Sequence, residues 1–349
     1  MSLASSLDSP RPSQHLLLLQ SSISQSCLPL IRHIITHNSA QKEPVKKLLF
    51  CVLHPPSCLV QDPAAANVQI YDYLDNIPGY SDPWMDPCSL ILEAVKNVPE
   101  TLPIEVIIDS LDTLLVDNGS QSQTYKFLRS LMSLISARSK PSRLVLHLCT
   151  PSEMLPLLVS TAFSPTIIQL IAHPPALLTH LATEYMTPPP PLSPEAKFWG
   201  VFIPISERGR DTEALIFGQG GEGSGGHSEM VVEVIARGGA DNSGRRKAVE
   251  RYLEGWDIDQ GHSVDLSQMS SLISIWKRKV FVQEVAPDPT QNVSFNLHLT
   301  PSQQESRSKV PLPYAHEGVP STQAMSAILY DPDSADDIDD DDPDEDLDI

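Results

Sequence analysis

The chain has 349 residues and 41% apolar residues, enough for one large domain or two ordinary ones with a sizeable core. Its formal charge of −20 argues against a surface that binds nucleic acid throughout. That charge is uneven, because residues 331–349 hold twelve Asp or Glu and no Lys or Arg, which leaves −8 for the first 330.

Thirty-two prolines, about twice the usual share, imply interrupted elements and long loops. No run approaches the ~18 consecutive apolar residues of a membrane span. Residues 1–14 lack a basic leader and residues 16–19 are too short for a signal-peptide core, so an intracellular chain is expected. The five cysteines include no CxxC, which disfavours a disulfide framework and a zinc site. No HExxH and no paired His spacing stands out, so no metal is expected.

Taken in chain order, residues 1–14 read as a flexible N-terminus and residues 15–19 as a buried strand. Ser26 can cap a helix over 28–36, with Pro29 in its first turn. Residues 47–53 (KLLFCVL) form a second strand, followed by a loop rich in Asp and Pro over 71–87 and a short helix near 90–96. Residues 104–108 (IEVII) are the clearest strand and end in Asp109. Residues 124–138 are amphipathic at helical spacing. Two more strands, 143–148 and 166–172, flank a helix over 152–160. Continuous apolar strands separated by helices predict an α/β fold with a mainly parallel sheet covered on both sides.

Beyond the Pro-rich insertion at 187–195, residues 197–204, 214–217, 229–237 and 248–256 read as strands joined by Gly-rich turns, with a Gly-rich loop at 218–228. These predict antiparallel hairpins added in the second half, closing a domain over 15–286. Residues 287–330 read as an extended segment that docks on a partner, through Phe295, Leu297, Leu299, Leu312 and Tyr314. Residues 331–349 cannot bury apolar surface and repel one another, so a disordered acidic tail is expected.

A nucleotide-binding parallel sheet carries its phosphate loop after the first strand, feeding a helix N-terminus. Here that place reads Gln20-Ser-Ser-Ile-Ser-Gln-Ser-Cys27, with no Gly for close backbone approach and no Lys for charge. The strand ending in Asp109 has the look of a Walker B segment, but without the loop its carboxylate has no phosphate to serve. Gly218-Gln-Gly-Gly-Glu-Gly223 matches GxGxxG in letters, yet a strand rather than a helix follows. His54, His147 and His173 sit in or just after apolar runs and read as structural. Two basic clusters, Arg245-Arg246-Lys247 and Lys277-Arg278-Lys279, are candidates for RNA phosphate or partner contacts.

Several segments, in order, carry a family resemblance. They are 106–115 (VIIDSLDTLL), 198–208 (FWGVFIPISER), 231–237 (VVEVIAR), 244–250 (GRRKAVE), 295–300 (FNLHLT), 310–314 (VPLPY) and the acidic tail ending Asp-Leu-Asp-Ile. Together they resemble the family of subunit 5 of the Elongator complex, in a Pro-rich style like that of fungal members. The resemblance implies a RecA-like fold without functional Walker motifs and without a cofactor of its own. It also implies a heterohexameric ring with subunits 4 and 6, docking on the catalytic subcomplex of Elongator and binding tRNA. Such a subunit is structural and regulatory, supports carboxymethyl-type modification of wobble uridine carried out elsewhere in the complex, and resides in cytoplasm and nucleus. Two other readings stay open: a divergent NTPase or hydrolase using Asp109, and an acidic-tailed chaperone of basic proteins.

Overall fold

Strands that are apolar at every position need cover on both faces, and the chain supplies it. The computed structural model describes residues 2–8, 10, 14–37, 45–60, 67–218, 228–238, 249–277 and 301–309. Nine strands form one sheet: β1 (Leu16–Ser21), β2 (Lys46–Cys51), β3 (Val68–Asp72), β4 (Ile104–Ile108), β5 (Arg143–Cys149), β6 (Ile167–His173), β7 (Glu229–Arg237), β8 (Glu250–Asp257) and β9 (His262–Val264). Their order is β3-β2-β4-β5-β1-β6-β7-β8-β9. The first six run parallel, and β7 to β9 extend the sheet antiparallel. This is the expected RecA-like arrangement, with β1 interior and one strand, β5, between it and the strand that ends at Asp109.

Side chains alternate across a strand, so residue parity sorts the core. Leu16, Leu18, Leu48, Phe50, Val106, Ile108, Leu144 and Leu146 face one layer, made by the helices Pro87–Lys96, Leu111–Asn118 and Gln121–Ser136. Leu17, Leu19, Leu49, Cys51, Ile107 and Val145 face the other, with the helices Leu3–Leu7 and Leu28–Thr36. The helix Gln121–Ser136 is capped by Ser120, whose side chain accepts from the Gln123 N–H. The preceding helix ends at Gly119, whose φ of 64° is left-handed backbone that glycine adopts without strain.

The second half departs from the expected strands at 197–204 and 214–217. Both are helical, within Glu195–Ser206 and Gly209–Phe217. Phe198, Phe202 and Ile205 recur at helical spacing and are buried against Leu177, Leu178, Leu181 and Val231. That packing outweighs Gly200, the β-branched Val201 and Ile203, and the exposed Pro204 inside the helix. An edge strand, β3, also replaces the start of the expected Asp- and Pro-rich loop. Val68, Ile70 and Tyr71 are only partly buried and Gln69 and Asp72 are exposed, so it lacks the continuous apolar pattern of its neighbours.

Within the N-terminal stretch expected to be flexible, residues Leu3–Leu7 are helical, and Leu3 and Leu7 are buried. The Leu3 N–H donates to Glu254 at 2.8 Å, and Arg143 donates to the Ser6 carbonyl at 2.7 Å and to that of Leu7. The chain forms two units, 1–283 and 284–349. In the second, where an extended segment was expected, Pro301–Ser308 is a helix. Pro301 stands at its first position, where no N–H is needed, and Glu305 pairs with Lys309 four residues on. No helix among the described residues is long and apolar enough to cross a membrane.

Candidate functional site at the carboxyl edge of the parallel sheet

Open parallel sheets bind ligands beyond the carboxyl ends of their strands, so the loops after β1, β2, β4 and β5 are the place to look. The loop after β1 is bonded to itself and to its neighbour strand. The Ser22 N–H donates to the Gln25 carbonyl at 2.9 Å, and the Gln25 N–H returns to the Ser22 hydroxyl at 3.2 Å. The Cys27 N–H donates to Ser21 Oγ at 2.8 Å. Ser21 Oγ lies 2.6 Å from His147 Nε2, while His147 Nδ1 lies 2.6 Å from the Asp109 carbonyl. A carbonyl only accepts, so Nδ1 carries the proton and Nε2 accepts from the Ser21 hydroxyl. Burial lowers the His147 pKa, which favours this neutral tautomer. The place of a phosphate cradle is therefore a closed hydrogen-bond circuit.

Asp109 is fully buried. Its Oδ1 accepts from the Val52 N–H at 2.7 Å; its Oδ2 accepts from the N–H groups of Leu53 at 3.1 Å and His54 at 2.6 Å. The His54 ring also approaches, with Nδ1 at 3.2 Å from Oδ2. Both oxygens are committed to the loop after β2, so the carboxylate at the Walker B position serves as a staple. Asp112, three residues on, does the same for the loop after β5. It accepts from the Cys149 N–H at 2.7 Å and the Ser152 hydroxyl at 2.5 Å. Cys27 is no nucleophile either, because burial pushes its thiol up to about 12.

The three histidines read as structural have partners that fit: His54 and His147 belong to this network, and His173 Nε2 lies 2.9 Å from Glu233. Burial and the His173 and Arg251 partners act oppositely on Glu233, with a net lowering of its pKa. Of the basic clusters, Lys277 is exposed at the end of the short helix Ile273–Lys277. Arg245, Arg246, Lys247, Arg278 and Lys279 lie outside the described residues, as do Phe295, Leu297, Leu299, Leu312, Tyr314 and residues 219–227 of the Gly-rich loop.

One grouping departs from the sequence expectation. His33 and His37 are four residues apart, a ligand spacing after all, and fall against Asp8, with the three ligand atoms within 4.8 Å of one another. Spacing alone could have found the His pair; Asp8 reaches it only because the N-terminal helix is docked.

The chain is similar to several known proteins. Human Elongator complex protein 5 is 41% identical over 70 residues, 18% of this chain and 23% of the human one. The rat protein is 35% identical over 108 residues, 28% of this chain and 33% of its own. The matches thus span about a quarter to a third of the curated relatives. Among solved structures, a KaiC-like protein of Pyrococcus horikoshii aligns with a TM-score of 0.36 at 11% identity, over 69% of this chain and 85% of that one. A family model described as Elongator subunit Iki1 matches residues 4–331, and the chain belongs to that family.

Proposed function

We propose that this chain is a non-catalytic, structural and regulatory subunit of the Elongator complex. In this reading it joins subunits 4 and 6 in a heterohexameric ring, docks on the catalytic subcomplex, and helps hold tRNA for modification of the wobble uridine. The observation that carries the non-catalytic part is the fate of the carboxyl edge. The loop after β1 is bonded to itself, and Asp109 and Asp112 are spent on backbone N–H groups. A ring subunit keeps the RecA-like frame for its surfaces and has no need of a phosphate cradle.

The tRNA role rests on Arg245, Arg246 and Lys247, with Lys277, Arg278 and Lys279. Many of the other cations have structural duties: Arg129, Arg138, Arg143, Arg237 and Lys47 all donate to backbone carbonyls. The reading is tested by the mass of the chain in solution, alone and co-expressed with subunits 4 and 6. It predicts a stable assembly with two copies of each, and a monomer that ignores both partners would contradict it. Nucleotide hydrolysis by the isolated chain, lost in Asp109→Ala, would favour the enzyme reading instead.

A further inference from the structure

We propose that Asp8, His33 and His37 form a binding site for a divalent transition-metal ion of the zinc class, tying the N-terminal helix to the helix Leu28–Thr36. The inference is independent of Elongator membership. Two histidines at i and i+4 on a helix present their rings to one side. Here the rings stack with centroids 5.1 Å apart, and both Nε2 atoms face a single oxygen, Asp8 Oδ1, at 3.3 Å and 3.6 Å. Ligand bonds of about 2.0–2.2 Å in a tetrahedron put neighbouring ligand atoms roughly 3.3–3.5 Å apart. The two Nε2–Oδ1 separations lie close to that spacing, and all three ligand atoms fall within 4.8 Å of one another. The His33 contact is within hydrogen-bond reach, whereas the His37 separation is longer than a hydrogen bond.

The site is also held in place from beneath. Lys47, Glu105 and Arg143 stand in register on β2, β4 and β5, and all three are buried. Arg143, paired with Glu105, binds the Ser6 and Leu7 carbonyls just before Asp8. Lys47 binds the carbonyls of Ile35, at 2.8 Å, and His37. Both chain segments that carry ligands are thus fixed at their ends by buried cations. Trp256 and His33 meet near-perpendicular with ring centroids 4.8 Å apart, a contact that restricts the His33 ring. Two neutral imidazoles and one carboxylate suit zinc, cobalt, nickel or copper over magnesium or calcium. They leave a fourth position for water or another ligand.

The test uses the metal-free full-length chain, titrated with Zn²⁺ and assayed by equilibrium dialysis with metal analysis, and with Co²⁺ followed by visible absorption. One equivalent of zinc is expected, with a tetrahedral Co²⁺ spectrum. Asp8→Asn should weaken binding at least tenfold and His33→Ala or His37→Ala should abolish it, while His262→Ala, at an exposed histidine outside the cluster, leaves it intact. His37 is half-exposed at a helix end, so its variant keeps the fold, which circular dichroism checks. Zinc should also slow proteolysis within residues 1–14 of the unaltered chain and not of Asp8→Asn. Failure of the unaltered chain to bind zinc above background would overturn the site, as would equal binding by the His33 and His37 variants.

Discussion

The two halves of the sheet use apolar sequence differently. In β1, β2, β4 and β5 nearly every position is buried, Cys149 at the end of β5 being exposed, and polar residues bond across their carboxyl ends: Ser21, Asp109, Asp112 and His147. In the half built on β7 to β9, helices cover the sheet through an aromatic cluster in which Phe198, Trp199 and Phe202 stack or meet edge to face. Arg251 lies over the Trp199 ring at 5.3 Å. The first half is held at its edge by bonds to loop backbone, whereas the second combines aromatic packing with an ion cluster of His173 and Arg251 about the buried Glu233. Mutations should therefore fail in different ways in the two halves.

The largest effect is expected from Asp109→Ala, which leaves the N–H groups of Val52, Leu53 and His54, the first of them buried, without an acceptor. Bonds to a charged group contribute about 1.5–3 kcal/mol each, so a loss on the order of 3–5 kcal/mol is expected by denaturant unfolding. If Asp109 were instead a solvent-accessible metal ligand, the same change would leave stability nearly intact. Phe202→Ala should lose a comparable ~3–5 kcal/mol, but through a cavity. Phe202→Leu should recover much of it, whereas Asp109→Asn, with one oxygen replaced by a donor, should recover little.

Acid should also separate the halves. Burial lowers the pKa of His147, so the unfolded chain takes up a proton near the ordinary value of ~6.5 that the folded chain refuses. Stability is then full above that pH and declines as pH falls below it. His33 is lowered by burial as well and contributes in the same direction. His147→Gln should make the fall in melting temperature between neutral pH and mild acid shallower without removing it. An unchanged slope would mean that His147 does not titrate within the circuit.

The smallest effect concerns the surface. Replacing Arg245, Arg246 and Lys247 with Glu should weaken tRNA binding by the assembled ring and flatten its salt dependence, since each lost phosphate contact lowers the slope by a little under one. A weaker affinity with an unchanged slope would remove that cluster from the RNA contact.

How legible each half is in the sequence follows from the same contrast. Burial on both faces makes β1, β2, β4, β5 and β6 readable as near-continuous apolar runs, and β7 follows from its alternation of Met230, Val232, Val234 and Ala236. The helix Glu195–Ser206 misleads because Gly200 and Pro204 interrupt a β-branched run. Its true signal, Phe198, Phe202 and Ile205 at positions i, i+4 and i+7, becomes decisive only when the facing Leu177, Leu178 and Leu181 are known. The missing Gly and Lys of the loop after β1 are visible in the sequence. What fills their place is not, because His147, itself held by the Asp109 carbonyl, reaches Ser21 from a strand far away in the chain.

The central claim is that the carboxyl edge is closed to nucleotide, and equilibrium binding of Mg²⁺·ATP to the full-length chain tests it most directly. No saturable binding and no rise in melting temperature at millimolar nucleotide is the predicted result. Saturable binding that is lost in a folded Asp109 variant would contradict it.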